Sequence, residues 1–326
     1  MISTLGVKRP SLPLWGLVLA GGDGRRLQEF IRNMRGEDLP KQYVNFVGRR
    51  SMLEHTLDRI EKLIPAGRVF TIVTKHHFRH AAVRRQLSER NEERIVVQPG
   101  NKDTLPGILL PLLYIYKYCA EAIVAVFPSD HCILDEDRFM DHVQLAARAV
   151  AHDSSQIVLL AVEAQYPEVE YGYVIPRPGR GDLSLWGTYS PEKFVEKPDL
   201  ATARQLVDDG GLWNTMTMVF KVRTLLDLLQ RFCAPTYLRF GAILDAIDTP
   251  NEATIIDQAF REARPVNFSK DFLETVAMAR PEAIAVLPVL QVHWSDWGSP
   301  QRLANAHPIP ANLGKPTQYA QALSFA

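Results

Sequence analysis

Four short runs constrain this chain more than anything else in it. Residues 15–20, 69–74, 95–98 and 123–127 are each continuously apolar, and each gives way to polar or glycine-bearing turn residues. Runs this short and this apolar read as strands buried on both faces. Between them, residues 51–63, 76–90 and 106–121 carry helical periodicity. Strand alternating with helix demands a parallel sheet, because each crossover must return over one face of it. Pro111 falls inside the third helix, where it removes a backbone donor and should introduce a kink.

The second half continues the pattern with less regularity. Residues 137–151 read as helix and 156–162 as strand. Short strands follow at 171–175, 183–189 and 194–196, around turn residues Pro176, Pro178, Gly179 and Gly181. Residues 212–221 form a further strand, 222–232, 237–247, 251–263 and 270–279 helices, and 283–287 a last strand before a turn at 293–299. No linker rich in glycine or serine interrupts the chain. The expectation is one mixed α/β domain over 15–302, its mainly parallel sheet covered by helices on both faces. An N-terminal segment, 1–14, precedes it, and a short tail, 303–326, follows.

Composition excludes several classes. Thirty-seven basic residues balance thirty-seven acidic ones, so no global charge excess points to nucleic acid. Cys119, Cys132 and Cys233 are odd in number and widely spaced, which suits a reducing compartment and supplies no disulfide framework. No apolar run is long enough to span a bilayer, and the first residues carry no leader pattern. The expected setting is cytoplasmic, with no membrane partner.

In open parallel sheets ligands bind beyond the carboxyl ends of the strands, so the residues following each strand are read together. The first strand ends in Gly21-Gly22-Asp23-Gly24-Arg25-Arg26-Leu27. Its glycines let backbone amides approach an anion, and its arginines add charge, although glycine-rich turns also occur simply as turns. It is neither a dinucleotide fingerprint, which would need glycine at Leu27, nor a P-loop. Lys41, in Pro40-Lys41-Gln42, reads by itself as a solvated charge. Asp130 closes the fourth strand, where a carboxylate can hold a hard cation or cap the next helix. Asp296 lies between Trp294 and Trp297, where an Asx turn is the alternative. His76 and His80 would share a helix face, which reads as a solvated face because no HExxH pattern accompanies them. Cys132 reads as a small core residue.

Taken in order, these blocks resemble the sugar-phosphate nucleotidyltransferase family. Tyr171-Gly172-Tyr173, Phe194-Val195-Glu196-Lys197-Pro198, Leu212-Trp213-Asn214 and Trp294-Ser295-Asp296 are similar to its mannose-1-phosphate guanylyltransferase branch. The resemblance runs from about Trp15 to Ser299 and implies a Rossmann-like nucleotidyltransferase fold. It implies transfer of a nucleotidyl group from an NTP, GTP favoured, to a hexose-1-phosphate, mannose-1-phosphate favoured, with release of pyrophosphate. Alternatives are another NTP and sugar pair, or a nucleotide-sugar-binding regulator without turnover. Gly21, Gly22 and Gly24 would cradle the triphosphate, with Gln98 and Asp103 beside the base. Arg26 and Lys41 would neutralise the leaving pyrophosphate, and Asp130 and Asp296 would hold Mg²⁺ (or Mn²⁺). Lys197 would contact the sugar phosphate, and Gly172, Glu196 and Asn214 the sugar. A homo-oligomer is compatible with all of this.

The chain also departs from that branch. Arg25 replaces a small residue, and Gln98-Pro99 with Lys102-Asp103-Thr104-Leu105-Pro106 replaces Glu-Pro and Arg-Asn-Thr-Ala-Pro. Met216 stands where glycine is usual, and Asn267-Phe268-Ser269 where an acidic segment is expected. The tail leaves no room for the C-terminal isomerase-like or β-helical module of many relatives. Asp103 itself has two readings: a carboxylate for the guanine N1–H and N2–H₂, or a cap for the following helix.

Overall fold

The computed structural model of the chain describes residues 13–177 and 186–305. The elements begin β1 (Leu14–Ala20), α1 (Gln28–Arg35), α2 (Met52–Glu61), β2 (Val69–Thr74), α3 (Ala81–Leu87), β3 (Ile95–Gln98), α4 (Thr104–Tyr118) and β4 (Ile123–Pro128). There follow β5 (Cys132–Ile133), α5 (Glu136–His152), β6 (Ile157–Glu163), β7 (Gly172–Pro176), β8 (Pro191–Glu196), α6 (Leu200–Asp208) and β9 (Leu212–Lys221). The chain continues through α7 (Val222–Phe232), α8 (Ala234–Ala246), α9 (Glu252–Glu262), α10 (Glu274–Ala279), β10 (Ile284–Val289), β11 (Trp294–Ser295) and α11 (Pro300–Asn305).

The main sheet runs β10-β6-β9-β4-β1-β2-β3, with β7 and β8 attached beside β9. β1 pairs in parallel with β2 and β4, β2 with β3, and β6 with β10. β9 is antiparallel to both β4 and β6. Six strands of the path therefore share one direction and β9 alone is reversed. Carboxyl ends of the six gather at one edge, and the beginning of β9, with Trp213 and Asn214, arrives at that same edge. Ala161 near the end of β6 faces Asn214 in the register.

Alternation along the strands assigns the two faces. Val18, Val69 and Val73 pack with Leu53, Leu57 and Ile60 of α2 and Phe139 and Val143 of α5. Leu17, Phe70 and Ile72 pack with Leu109 and Leu113 of α4, Leu225 of α7 and Phe240 of α8. Helices thus cover both faces, as the strand–helix alternation requires. Ser51 starts α2 with a capping box shared with Glu54.

Several elements differ from the sequence reading. The helix expected over 76–90 is a 3₁₀ turn, Lys75–Arg79, followed by the shorter α3. The helix expected over 270–279 begins as a π turn, Phe268–Leu273. α4 continues through Pro111 as one element. Of the strand expected at 183–189, residues 183–185 lie outside the described residues, 186–188 are turn and irregular rather than strand, and Tyr189 makes an isolated bridge to Val286. α1 was not anticipated, because its eight residues bury one side chain fully, Ile31, and give little periodic signal. β5 and β11 are two-residue strands that pair only with each other, Trp294 opposite Ile133 and Ser295 opposite Cys132. Cys132 is buried there, as expected of a small apolar residue. No helix among the described residues is long and apolar enough to cross a membrane.

Candidate functional site

The turn after β1 is held from behind by side chains that consume its carbonyl oxygens. Gln42 Nε2 donates to Ala20 O at 2.8 Å and Gly22 O at 2.9 Å. Thr74 Oγ1 donates to Gly21 O at 2.7 Å, Gln28 Nε2 to Asp23 O at 3.2 Å, and Leu27 N to Gly24 O at 3.1 Å. The backbone amides of Gly22, Asp23 and Gly24, by contrast, donate to no protein group among the described residues. A row of unspent amides next to Arg25 and Arg26 is a donor set of the kind that suits an anion. Two of the glycines are sterically required. A side chain at Gly21 would meet Gln98 Nε2 at 2.7 Å, and Gly24 has φ +63° with Lys41 pressed against it. At Gly22 the space is open.

Gln98 and Asp103 lie to one side of this turn. Gly21, Gly22, Arg25, Gln98, Asn101, Asp103, Thr104 and Gly107 line a cavity of about 380 Å³ between β1, β3 and the start of α4. Gln98 is buried; its Nε2 donates to Thr74 Oγ1 at 2.8 Å, while its Oε1 has no hydrogen-bond partner. Asp103 Oδ1 accepts from Thr104 N at 2.7 Å and Asn267 Nδ2 at 3.1 Å, so Asp103 both caps α4 and borders the cavity. A larger cavity of about 620 Å³ lies between β3 and α9, lined by Glu92, Glu93, Asp248, Glu252 and Asp257. Five carboxylates make it hostile to phosphate, and it holds none of the expected residues.

Lys41 is the main correction to the sequence reading: it is not a solvated charge but a buried one, 4% exposed. Its Nζ donates to Asp130 Oδ2 at 3.0 Å and to the carbonyl of Asp296. One ammonium group therefore ties together the ends of β4 and β11. Asp130 caps no helix, since Asp135 occupies the position before α5. Asp296 does form the Asx turn, its Oδ1 accepting from Gly298 N at 2.9 Å, but it also accepts from Tyr171 Oη at 2.8 Å. Arg302 Nε lies 2.9 Å from Oδ1, and Arg302 and Arg26 reach Oδ2 at 3.3 and 3.5 Å. Arg26 also pairs with Glu170, and Arg302 with Glu168.

Electrostatics follow from that geometry. Burial pushes the Asp130 carboxyl up, but Lys41 and His131 outweigh it and hold it below the usual carboxylate range. Burial likewise acts against ionisation of Asp296, and Lys41, Arg302, the Gly298 amide and the Tyr171 hydroxyl overcome it. His131 is pushed down to about 4, chiefly by burial. Both carboxylates are thus charged at neutral pH, the form in which oxygen holds a hard cation. Asp130, with a side chain 39% exposed, fits such an ion directly. At Asp296 two guanidinium groups reach Oδ2, Arg302 at 3.3 Å and Arg26 at 3.5 Å, and both would have to withdraw before that oxygen could hold an ion.

On the other side, β7 and β8 pair so that Gly172 stands opposite Glu196. A side chain at Gly172 would meet the Glu196 carboxylate, which would have to swing aside to admit it. Burial raises the Glu196 carboxyl to about 7, with Lys197 opposing and Glu274 assisting. Asn214 is 5% exposed, and its Oδ1 accepts from Met216 N at 3.1 Å while its Nδ2 has no partner. Buried orphan donors are rare in native proteins. Lys197 is exposed, its amide donating to Tyr171 O at 3.1 Å. Asp103, Lys197, Met216 and Trp297 all have positive φ, 69°, 49°, 56° and 46°. Strained backbone gathers at functional sites.

Sequence reasoning missed Arg302, Glu168, Glu170 and the role of Tyr171. Arg302 lies in an eleventh helix that no periodicity announced, and the others act through contacts distant in sequence.

Fold and site together define an α/β protein with a turn of unspent backbone amides and a cation–carboxylate cluster at the carboxyl edge of its sheet. The sequence profile of the nucleotidyl transferase family matches residues 15–311, and the chain belongs to that family. It is 30% identical over 286 residues to the xanthan biosynthesis protein XanB of Xanthomonas campestris pv. campestris (strain B100), covering 87% of this chain and 57% of XanB. It is 28% identical over 309 residues to the mannose-1-phosphate guanylyltransferase of Escherichia coli (strain K12), covering 92% of this chain and 61% of that protein. The chain thus spans less than two thirds of the length of these relatives. Among solved structures, a mannose-1-phosphate geranyltransferase from Thermus thermophilus superposes with a TM-score of 0.76 at 24% identity, covering 92% of this chain and 80% of that one. That likeness bears on the fold.

Proposed function

We propose that this protein transfers a nucleotidyl group from an NTP, GTP favoured, to a sugar-1-phosphate, mannose-1-phosphate favoured. The observation that carries the reading is the row of free amides at Gly22, Asp23 and Gly24 beside Arg25 and Arg26, with orphan buried polar atoms on either side, Gln98 Oε1 and Asn214 Nδ2. One side suits a base and the other a sugar hydroxyl. An oxygen of the sugar phosphate attacks the α-phosphorus; the bond from that phosphorus to the bridging oxygen breaks, and pyrophosphate leaves with its electron pair. The attacking phosphate is already ionised, so positioning and charge stabilisation suffice. Arg26 and Lys41 neutralise the charge that accumulates on the leaving group, with Arg25 and Arg302 within reach of the same edge. Mg²⁺ (or Mn²⁺), held by Asp130 and Asp296, would offset charge at the reacting phosphate. Glu196, Asn214 and Gly172 accept the sugar, and Lys197 its phosphate. The match to mannose-1-phosphate guanylyltransferases and the retained Gly172, Glu196 and Asn214 support the mannose reading. Pyrophosphate release across four NTPs and several hexose-1-phosphates tests it. The highest kcat/KM is expected for GTP with mannose-1-phosphate, and a preference for UTP or dTTP with glucose-1-phosphate would refute it.

A further inference from the structure

The 3₁₀ turn after β2 brings two neighbouring histidines onto the glycine turn after β1. His76 Nε2 lies 3.0 Å and His77 Nε2 3.4 Å from the same oxygen, Asp23 Oδ1, and the three donor atoms lie within 4.8 Å of one another. Donor atoms bound at about 2.0 Å to one tetrahedral ion stand about 3.3 Å apart, so the spacing matches a common ion. Two imidazoles with one carboxylate form a nitrogen-rich donor set that suits a divalent transition ion rather than Mg²⁺. His77 is fully buried, with the His76 ring packed edge-on against it. Its other nitrogen faces Tyr43 Oη at 3.5 Å, an outer contact of the kind that orients ligating histidines. His76 and Asp23 differ from His77 in access: the His76 side chain is 46% exposed and that of Asp23 13%, so an ion can enter from solvent.

Charge gives a second, independent argument. Asp23 places a carboxylate within the turn whose free amides face an anion, and like charges there repel. The basic groups beside it, His76 at 3.0 Å and Arg25 at 3.5 Å, have side chains 46% and 82% exposed. A bound cation would relieve it while leaving a coordination position for water or a phosphate oxygen.

We propose that Asp23, His76 and His77 form a binding site for one divalent transition ion of the Zn²⁺ or Co²⁺ type, separate from the carboxylates Asp130 and Asp296, which ties the glycine turn to the end of β2. The sequence reading paired His76 with His80 on a helix face; the 3₁₀ geometry instead sends His80 toward Glu37, at 3.4 Å. Because the site rests on three side chains and not on turnover, it stands or falls apart from the proposed reaction.

Titration of the tag-free full chain with Co²⁺, followed by visible absorption, tests it directly. One ion per chain is expected, displaced by equimolar Zn²⁺ and unaffected by millimolar Mg²⁺. His76→Ala, at an exposed position that should leave folding intact, should weaken Co²⁺ binding at least tenfold, as should the near-isosteric Asp23→Asn. Zn²⁺ should raise the thermal midpoint of the wild type and leave that of His76→Ala unchanged. Absence of Co²⁺ binding at micromolar concentration, or binding that both variants retain, overturns the proposal.

Discussion

The parallel half of the sheet and its antiparallel half reach the same edge by different means. Around β1, β2, β3 and β4 the candidate groups sit at the strand ends or in the turns that follow them, Gln98 closing β3, and part of what they present is backbone: the amides of 22–24 beyond β1. In β8 and β9 they are side chains within or at the ends of strands, Glu196 opposite the bare backbone of Gly172 in β7 and Asn214 two residues into β9. The reversal of β9 is what makes this possible, since it turns the start of a strand toward the edge where the others end. Turns deliver main-chain donors that suit an anion of any sequence context. Strands deliver individual side chains at fixed register, which suits the discrimination of one polyol from another. Asp130 and Asp296 stand between the halves, joined by Lys41, which donates to the carboxylate of the first and the backbone carbonyl of the second.

That contrast can be broken most sharply at the junction. Asp130→Asn and Asp296→Asn should each lower kcat by about a hundredfold or more, since one electrostatic contact at a reacting centre can contribute that much. The double variant should lose little beyond the worse single one, because groups serving one centre act as a unit. Asp296→Asn should also lower the thermal midpoint more, since it weakens the hold on Tyr171 and on two arginines. Near-normal turnover in either single variant, measured by pyrophosphate release, would remove that residue from the reacting centre.

A smaller effect separates the halves themselves. Asn214→Ala should raise KM for the sugar phosphate by about tenfold and leave that for the NTP unchanged, the loss of one buried donor contact. Gln98→Ala should do the reverse. If both variants moved the same KM, the division into a nucleotide side and a sugar side would be wrong.

The smallest effect is on stability and belongs to Glu196. Its carboxyl titrates near 7 in the folded chain and near 4.5 otherwise. Between those values the folded state holds the proton that the unfolded state has released, so stability falls as pH rises through that window and is level above it. Glu196→Gln removes this term. The thermal midpoint of the variant relative to wild type should be higher at pH 8 than at pH 5. An equal difference at both would mean that Glu196 is not held near neutrality by its surroundings.

Much of the parallel half was legible from residue pattern. Buried parallel strands are continuous apolar runs, and 69–74 and 95–98 match β2 and β3 residue for residue. Gly24 was legible as a turn glycine, and its φ of +63° shows why no other residue serves as well. The helical segment of 28–35 was not, because an exposed helix with one buried side chain has no period to read. Neither was β5 with β11, since a two-residue strand carries no pattern and exists only through its partner.

What the sequence determined by itself is local: which segments are strands or helices, where the chain turns, and which turns carry glycine and charge. These follow from side-chain size, branching and the alternation of apolar with polar, all set by near neighbours. What only the tertiary structure decided is the state of each charged group. In isolation Lys41 reads as a solvated charge, Asp130 as a cap or cation ligand and Asp296 as a turn former, while Arg302 carries no signal at all. They become one cluster, with Lys41 buried at its centre, because β11 pairs with β5 and brings Asp296 to the end of β4, joining groups as far apart in sequence as Arg26 and Asp296. A charge's energy depends on what lies within a few ångströms of it and on how much water remains, and neither quantity is written in the order of residues along the chain.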